Sequence, residues 1–234
     1  SNELLGYYQS SAARTSLNAM SAIGKSVPRK EGRKKVTGQA LYIDDLTFPG
    51  MLHGATVRSP AARGTIKSIS FEGNILWDEF VIVTATDIPG ANHVALILDD
   101  QPYLADGVVN HPEEPVLLLA HKDKYLLEEA RRNVKIEVEE LPAIFSLVES
   151  LSKKQIIWGD DNVFKKFLVD KGNVDEAWAN ADFIVEGEYE TGAQEQLYIE
   201  NNGAIAVANP NEGVTVWGSM QCPYYIHKAL IKLF

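Results

Sequence analysis

Between residues 115 and 142 the chain reads PVLLLAHKDKYLLEEARRNVKIEVEELP, and no other stretch limits its possible folds as tightly. Residues 116–120 form an unbroken apolar run, as expected of a strand covered on both faces. Residues 122–133 then follow the helical period. Leu126, Leu127 and Ala130 make one apolar stripe, and Glu128, Glu129, Arg131 and Arg132 fall on the wet side. Acidic residues precede basic ones along this helix, in agreement with its dipole. Residues 134–139 alternate Val134, Ile136 and Val138 with Lys135, Glu137 and Glu139, a strand with one solvated face. Strand, helix and strand with short links predict a parallel pair joined by a right-handed crossover.

Upstream, residues 40–43, 52–58, 66–71 and 80–84 are further strand candidates, separated by Asp44-Asp45, by Pro49-Gly50 and by other turn-forming residues. Residues 1–31 are rich in small and hydroxyl side chains and hold neither period, so they read as a leader. Downstream, 146–151 and 174–179 are short helix candidates, and 163–169 and 183–190 read as strands. The row Glu186, Glu188, Glu190 is expected to be a solvated face and not a cation site. The segmentation is thus a leader, 1–31, a first domain, 32–145, and a second part, 146–234. The fold class is α+β.

The chain closes on GAIAVANPNEGVTVWGSMQCPYYIHKALIKLF. Two apolar runs, 204–208 and 214–217, flank Pro210-Asn211-Glu212-Gly213 and predict a hairpin. Pro223 suits a first helical position, because its missing N–H has no partner to lose there. Ile226, Ala229, Leu230 and Leu233 then share one helix face. That face, if exposed, is a self-association patch. Gln221 stands beside the open donors and positive dipole end of this helix. On spacing alone it is either a polar residue that tidies a helix start or a group that meets an anionic or oxo ligand.

Composition removes several function classes. A net charge of −10 opposes a phosphate-backbone partner. No apolar run approaches the roughly 20 residues of a membrane span. The single cysteine, Cys222, rules out an internal disulfide, a cysteine-ligated iron–sulfur cluster and a multi-cysteine zinc site. It is compatible with a reduced, cytoplasmic setting, and a buried, inert thiol is expected. The five histidines (His53, His93, His111, His121, His227) show no metal-binding spacing, and each is expected to be a surface or half-buried polar residue. There is no Gly-x-Ser-x-Gly elbow and no phosphate-binding glycine loop.

Four segments carry a resemblance to a known family. GRKKVTGQALYIDDLTFPGMLHGATVRSPAARGTIKSI and LADGVVNHPEEPVLLLAHKDKYLLEEARRNVKIEVEELPA are similar to the opening and closing parts of the α/β hammerhead domain of the xanthine dehydrogenase and aldehyde oxidoreductase family of molybdenum hydroxylases. GAQEQLYIE and WGSMQCPYYIHKAL resemble the start of the molybdopterin-binding part that comes after it. The chain departs from the family in three places. Arg58-Ser59-Pro60 leads into Ala61-Ala62, Pro112-Glu113-Glu114-Pro115 stands where Gly-Gln-Pro is usual, and Glu195-Gln196 replaces a Glu-His pair.

The resemblance implies a hammerhead domain followed by the truncated start of a molybdopterin-binding domain. It also implies that Gln221, in a Ser-x-Gln turn, donates its amide to an oxo ligand of molybdenum. The family's glycine-rich loop and its general-base glutamate belong downstream of the helix at Pro223, so no catalytic residue and no metal ligand is expected in this chain. The complete enzyme would carry molybdenum–molybdopterin and hydroxylate an aldehyde or N-heterocycle with oxygen from water. Electrons would pass to iron–sulfur and flavin (FAD) subunits or domains in an oligomer. Alone, this chain would be inactive and without cofactor. The alternative is a non-catalytic binding or assembly module that retains the hammerhead fold.

Overall fold

The computed structural model describes residues 23–95, 98–198 and 200–234, and the chain divides into two units at Leu46 and Thr47. Residues 1–22 of the expected leader lie outside the described residues. In the first unit, helix α1 spans Gly32–Val36, with Arg33, Lys34 and Lys35 at its negative dipole end. The strand predicted at 40–43 is absent. Instead Ile43–Asp45 forms a single 3-10 turn, because the Asp45 carboxylate accepts the Tyr42 N–H at 2.8 Å. A side chain that bonds its own local backbone competes with a ladder.

The second unit holds strands β1 (His53–Arg58), β2 (Gly64–Phe71), β3 (Val81–Val83), β4 (Val94–Ala95), β5 (Asp99–Gln101), β6 (Val108–Val109) and β7 (Pro115–His121). Helix α2 (Lys124–Arg132), β8 (Val134–Glu140), α3 (Leu147–Ser152) and α4 (Val174–Ala179) come next. The hairpin β9 (Ala204–Asn209) and β10 (Gly213–Gly218) and helix α5 (Pro223–Leu233) complete it. Two three-stranded sheets, β1-β7-β3 and β6-β2-β8, are accompanied by the pairs β4-β5 and β9-β10. Every ladder among the described residues is antiparallel.

The predicted parallel pair is therefore corrected. β7 and β8 flank α2 as expected, but they lie in different sheets. Both edges of β7 are taken, by β1 and by β3, so β8 pairs with β2 instead. The apolar run is also not covered evenly. Val116, Leu117 and Leu119 are buried, whereas Leu118 is 40% exposed. Leu117 and Leu119 share one pleat face with Val57, Phe80, Leu127, Ala130 and Val134, and that face is the main core. Val116 lies on the opposite face, in a second cluster with Ala105 and Val109.

Helix α2 begins at Asp123, whose carboxylate accepts from Tyr125 N (2.8 Å) and Leu126 N (3.1 Å). The Asp123 N–H in turn donates to Nδ1 of His121 at 3.0 Å. His121 is only 5% exposed and stacks on Phe80, so the expectation of a surface or half-buried histidine fails here. Glu113, standing where the resemblance expects glycine, takes the left-handed φ of 62°, and Arg58 Nη1 donates to its carbonyl at 2.9 Å.

The helices expected at 146–151 and 174–179 are present as α3 and α4. The strands expected at 163–169 and 183–190 are not, although the apolar side chains that suggested them are there. Phe167, Val169, Phe183 and Val185 are exposed, and among the described residues no neighbouring strand pairs with either segment. Sequence alternation marks a face, but a strand also needs a ladder partner.

Leu117 is fully buried, so Leu117→Ala should destabilise the chain by about 2–5 kcal/mol in urea unfolding. A second expectation concerns acid. Backbone N–H donation from Leu126 and Tyr125 holds the Asp123 carboxyl below its ordinary value, and the Arg131 guanidinium pulls Glu128 down to about 2. Both groups therefore stabilise above their unfolded values, and the contribution disappears as pH falls through the folded ones. The urea midpoint should drop between about pH 5 and pH 2. Asp123→Asn, which keeps a capping acceptor, should flatten part of that drop.

Candidate functional site

The hairpin that leads to Gln221 is built by turn chemistry. Glu212 N–H donates to Asn209 O at 3.2 Å, and Asn211 N–H to Asn209 Oδ1 at 2.9 Å. Pro210 pre-sets the turn's first central φ, and Gly213 closes it at a φ of 85° that disfavours other residues. The register runs from Gly213 opposite Asn209 to Gly218 opposite Ala204. Trp217 is braced from outside the hairpin by Phe48, with ring centroids 4.9 Å apart.

Ser219 governs the path of the chain beyond β10. Its N–H donates to Gly203 O and its Oγ accepts from Gly203 N, both at 3.3 Å, while the hydroxyl donates to Asn201 O at 3.0 Å. One residue thus ties the exit of β10 to the entrance of β9. The absence of a side chain at Gly218 permits this close approach, since a Cβ would sit 3.1 Å from Gly203 O.

Gln221 emerges from that turn exposed, and its carboxamide makes no hydrogen bond among the described residues. Helix α5 starts two residues later with Pro223 at its first position. Its N-cap is Cys222, which offers no side-chain hydrogen bond. A free carboxamide thus stands two residues before a helix start that has no side-chain cap and carries the positive end of the helix dipole. Such a donor and dipole fit an oxygen-bearing anionic group. Cys222 itself is exposed, not buried as expected, because it sits outside the helix while the inward face is carried by Ala229.

The hairpin and the helix stand where the sequence predicts them, with Gln221 just before the helix start. The sequence alone does not assign Ser219 its anchoring role, and the signal available is its place immediately after a strand end. Among the described residues no group of three or more His, Cys, Asp or Glu side chains gathers in a way that could hold a metal ion.

Comparison with known proteins covers two stretches of the chain. Residues 37–142 match the family model "Aldehyde oxidase and xanthine dehydrogenase, a/b hammerhead domain", and residues 159–234 match "Molybdopterin cofactor-binding domain". A probable xanthine dehydrogenase subunit from Bacillus subtilis is 29% identical over 208 residues, 88% of this chain and 28% of that protein. The nicotinate dehydrogenase large molybdopterin subunit of Eubacterium barkeri is 30% identical over 206 residues, 87% of this chain and 48% of that protein.

Among solved structures, quinoline 2-oxidoreductase from Pseudomonas putida 86 superposes with a TM-score of 0.75 at 24% identity, covering 91% of this chain and 29% of that one. Aldehyde oxidoreductase from Desulfovibrio gigas gives 0.74 at 24%, covering 88% and 25%. These likenesses define the fold as a hammerhead domain followed by the start of a molybdopterin-binding domain. The chain belongs to the xanthine dehydrogenase and aldehyde oxidoreductase family of molybdenum hydroxylases, and it spans less than half the length of these relatives.

The exposed helix start has a direct chemical consequence. In the native chain Cys222 should be alkylated by a thiol reagent at a rate within about threefold of the urea-unfolded chain, since exposure decides access. Protection by two orders of magnitude would show that the helix start is covered.

Proposed function

We propose that this chain is part of the large subunit of a molybdenum hydroxylase and that Gln221 is its contact to the cofactor. The observation that carries the reading is the unpaired Gln221 carboxamide, held on a turn anchored by Ser219 at an uncapped helix start. It lies within the segment that matches the molybdopterin cofactor-binding model. When bound, the molybdenum–molybdopterin group would supply the two-electron oxidation of the substrate carbon. The protein's part is positional. Gln221 would donate an N–H to an oxygen of the bound cofactor, and the dipole of α5 would favour negative charge there.

The complete protein, in this reading, hydroxylates an N-heterocycle or aldehyde with oxygen from water. N-heterocycles are favoured by relatives named for xanthine and nicotinate. Electrons leave through iron–sulfur clusters and FAD on partner subunits or domains, because one cysteine cannot ligate a cluster here. The assembly is an oligomer in the cytoplasm. Among the described residues no helix is long and apolar enough to cross a membrane. The hammerhead domain covers 32–145, and the cofactor-binding part begins after it.

Metal and pterin analysis of the complete gene product, expressed with molybdate, tests the reading. About one molybdenum and one pterin per chain are expected. Gln221→Ala should keep the metal yet lower kcat by about 10–100-fold, the loss of one hydrogen bond to a charged acceptor. Absence of molybdenum under cofactor-replete expression, or an unchanged kcat in the variant, would overturn it.

A further inference from the structure

Helix α5 is held at its far end by an unusual arrangement of backbone. The last carbonyls of a helix have no partner within it. Here Gly90 N–H donates to Leu233 O at 2.9 Å and Ala91 N–H to Lys232 O at 2.8 Å. The approach is so close that a Cβ on Gly90 would lie 2.6 Å from Leu233 O and nearer still to Lys232 O. Beside this seam Asp99 accepts from Lys232 Nζ through both carboxylate oxygens at 3.4 Å. His93 Nε2 stands 3.5 Å from the same carboxylate. Gly90, Ala91, His93 and Asp99 lie within the segment that matches the hammerhead model, whereas Lys232 and Leu233 lie within the molybdopterin-binding match.

We propose that Gly90, Ala91 and Asp99 form a positioning clasp by which the hammerhead domain sets the direction of α5, and through it the place of Gln221. The inference rests on the functional reading above and deepens it. Eleven helical residues make a stiff rod about 16 Å long. Ser219 holds the chain just before the rod begins, and the clasp holds its end. With both ends fixed, the backbone that carries Gln221 cannot shift without breaking hydrogen bonds, so the point from which the carboxamide projects is set. A shift of the far end tilts the near one, and about 1 Å of misplacement at a reacting centre can cost two orders of magnitude in rate. The Lys232–Asp99 pair is exposed and so adds little stability. Its contribution is to select one orientation of the helix end.

The test uses Gly90→Ala, in which the added methyl must push the helix end away, and Asp99→Asn as a milder variant that spares the fold. Hydrogen exchange is read first, on the complete gene product expressed without molybdate. Gly90→Ala should speed exchange at Ala91 and in the last two turns of α5 by about tenfold, leaving β7 and α2 unchanged. Lys232→Arg should behave like the parent. Next, in the complete molybdenum-loaded protein, the molybdenum(V) electron paramagnetic resonance spectrum should change in Gly90→Ala in the same sense as in Gln221→Ala, at unaltered metal content. Asp99→Asn should show both effects at smaller amplitude.

Unchanged exchange at Ala91 and α5 would overturn the clasp. So would a Gly90→Ala spectrum like the parent's while that of Gln221→Ala differs, and the functional reading would then survive alone. A Gln221→Ala spectrum identical to the parent's would instead overturn the functional reading, and the positioning inference with it. If Gly90→Ala does not fold, Asp99→Asn decides by the same two criteria.

Discussion

A single hydroxyl group closes the turn on which the placing of Gln221 depends. Ser219 Oγ accepts from Gly203 and donates to Asn201, so the segments before β9 and after β10 are held together at the hairpin's open end. A buried or tightly turned backbone needs partners for its polar groups, and here one side chain serves two of them. With the turn fixed, the next polar side chain that can project freely is Gln221. Pro223 then starts a helix without a side-chain cap, and the Tyr225 N–H turns back to Cys222 O at 3.0 Å. Substitution of Ser219 would release Gln221 without touching it.

The hammerhead domain obeys a different constraint. β7 is the central strand of its sheet, with β1 on one edge and β3 on the other. Its Leu117 and Leu119 point to the face that α2 covers through Leu127 and Ala130. Because β7 has no free edge, the chain that leaves α2 must find another neighbour, and β8 lies along β2. The result is two antiparallel sheets with a shared helix, linked by Ile69 and Ile136, which pack against both core clusters. Glu113 bends the entry to β7 through a left-handed backbone that glycine would adopt at less cost.

Local pattern was legible in the sequence wherever the segment supplies its own partners. The helical period around Leu126, Leu127 and Ala130 and the Pro210–Gly213 turn needed only nearby residues, and both were read correctly. So was the helix at Pro223, with Gln221 at its mouth. Whatever depended on distant chain was not legible. The choice of β2 as the partner of β8 hangs on β7 being occupied, which no window of sequence reveals. Residues 163–169 and 183–190 carry strand-like alternation, yet no described strand pairs with them. Asp45 turned a predicted strand into a 3-10 turn through one hydrogen bond. Free thiols are usually buried, but Cys222 lies outside the helix it precedes.

The most direct measurement is a structure of the complete gene product with its cofactor in place. The Gln221 carboxamide nitrogen should then lie within about 3 Å of an oxygen on the molybdenum group, with α5 running away from it. A Gln221 side chain that faces bulk water, remote from the pterin cavity, would contradict the role assigned to it.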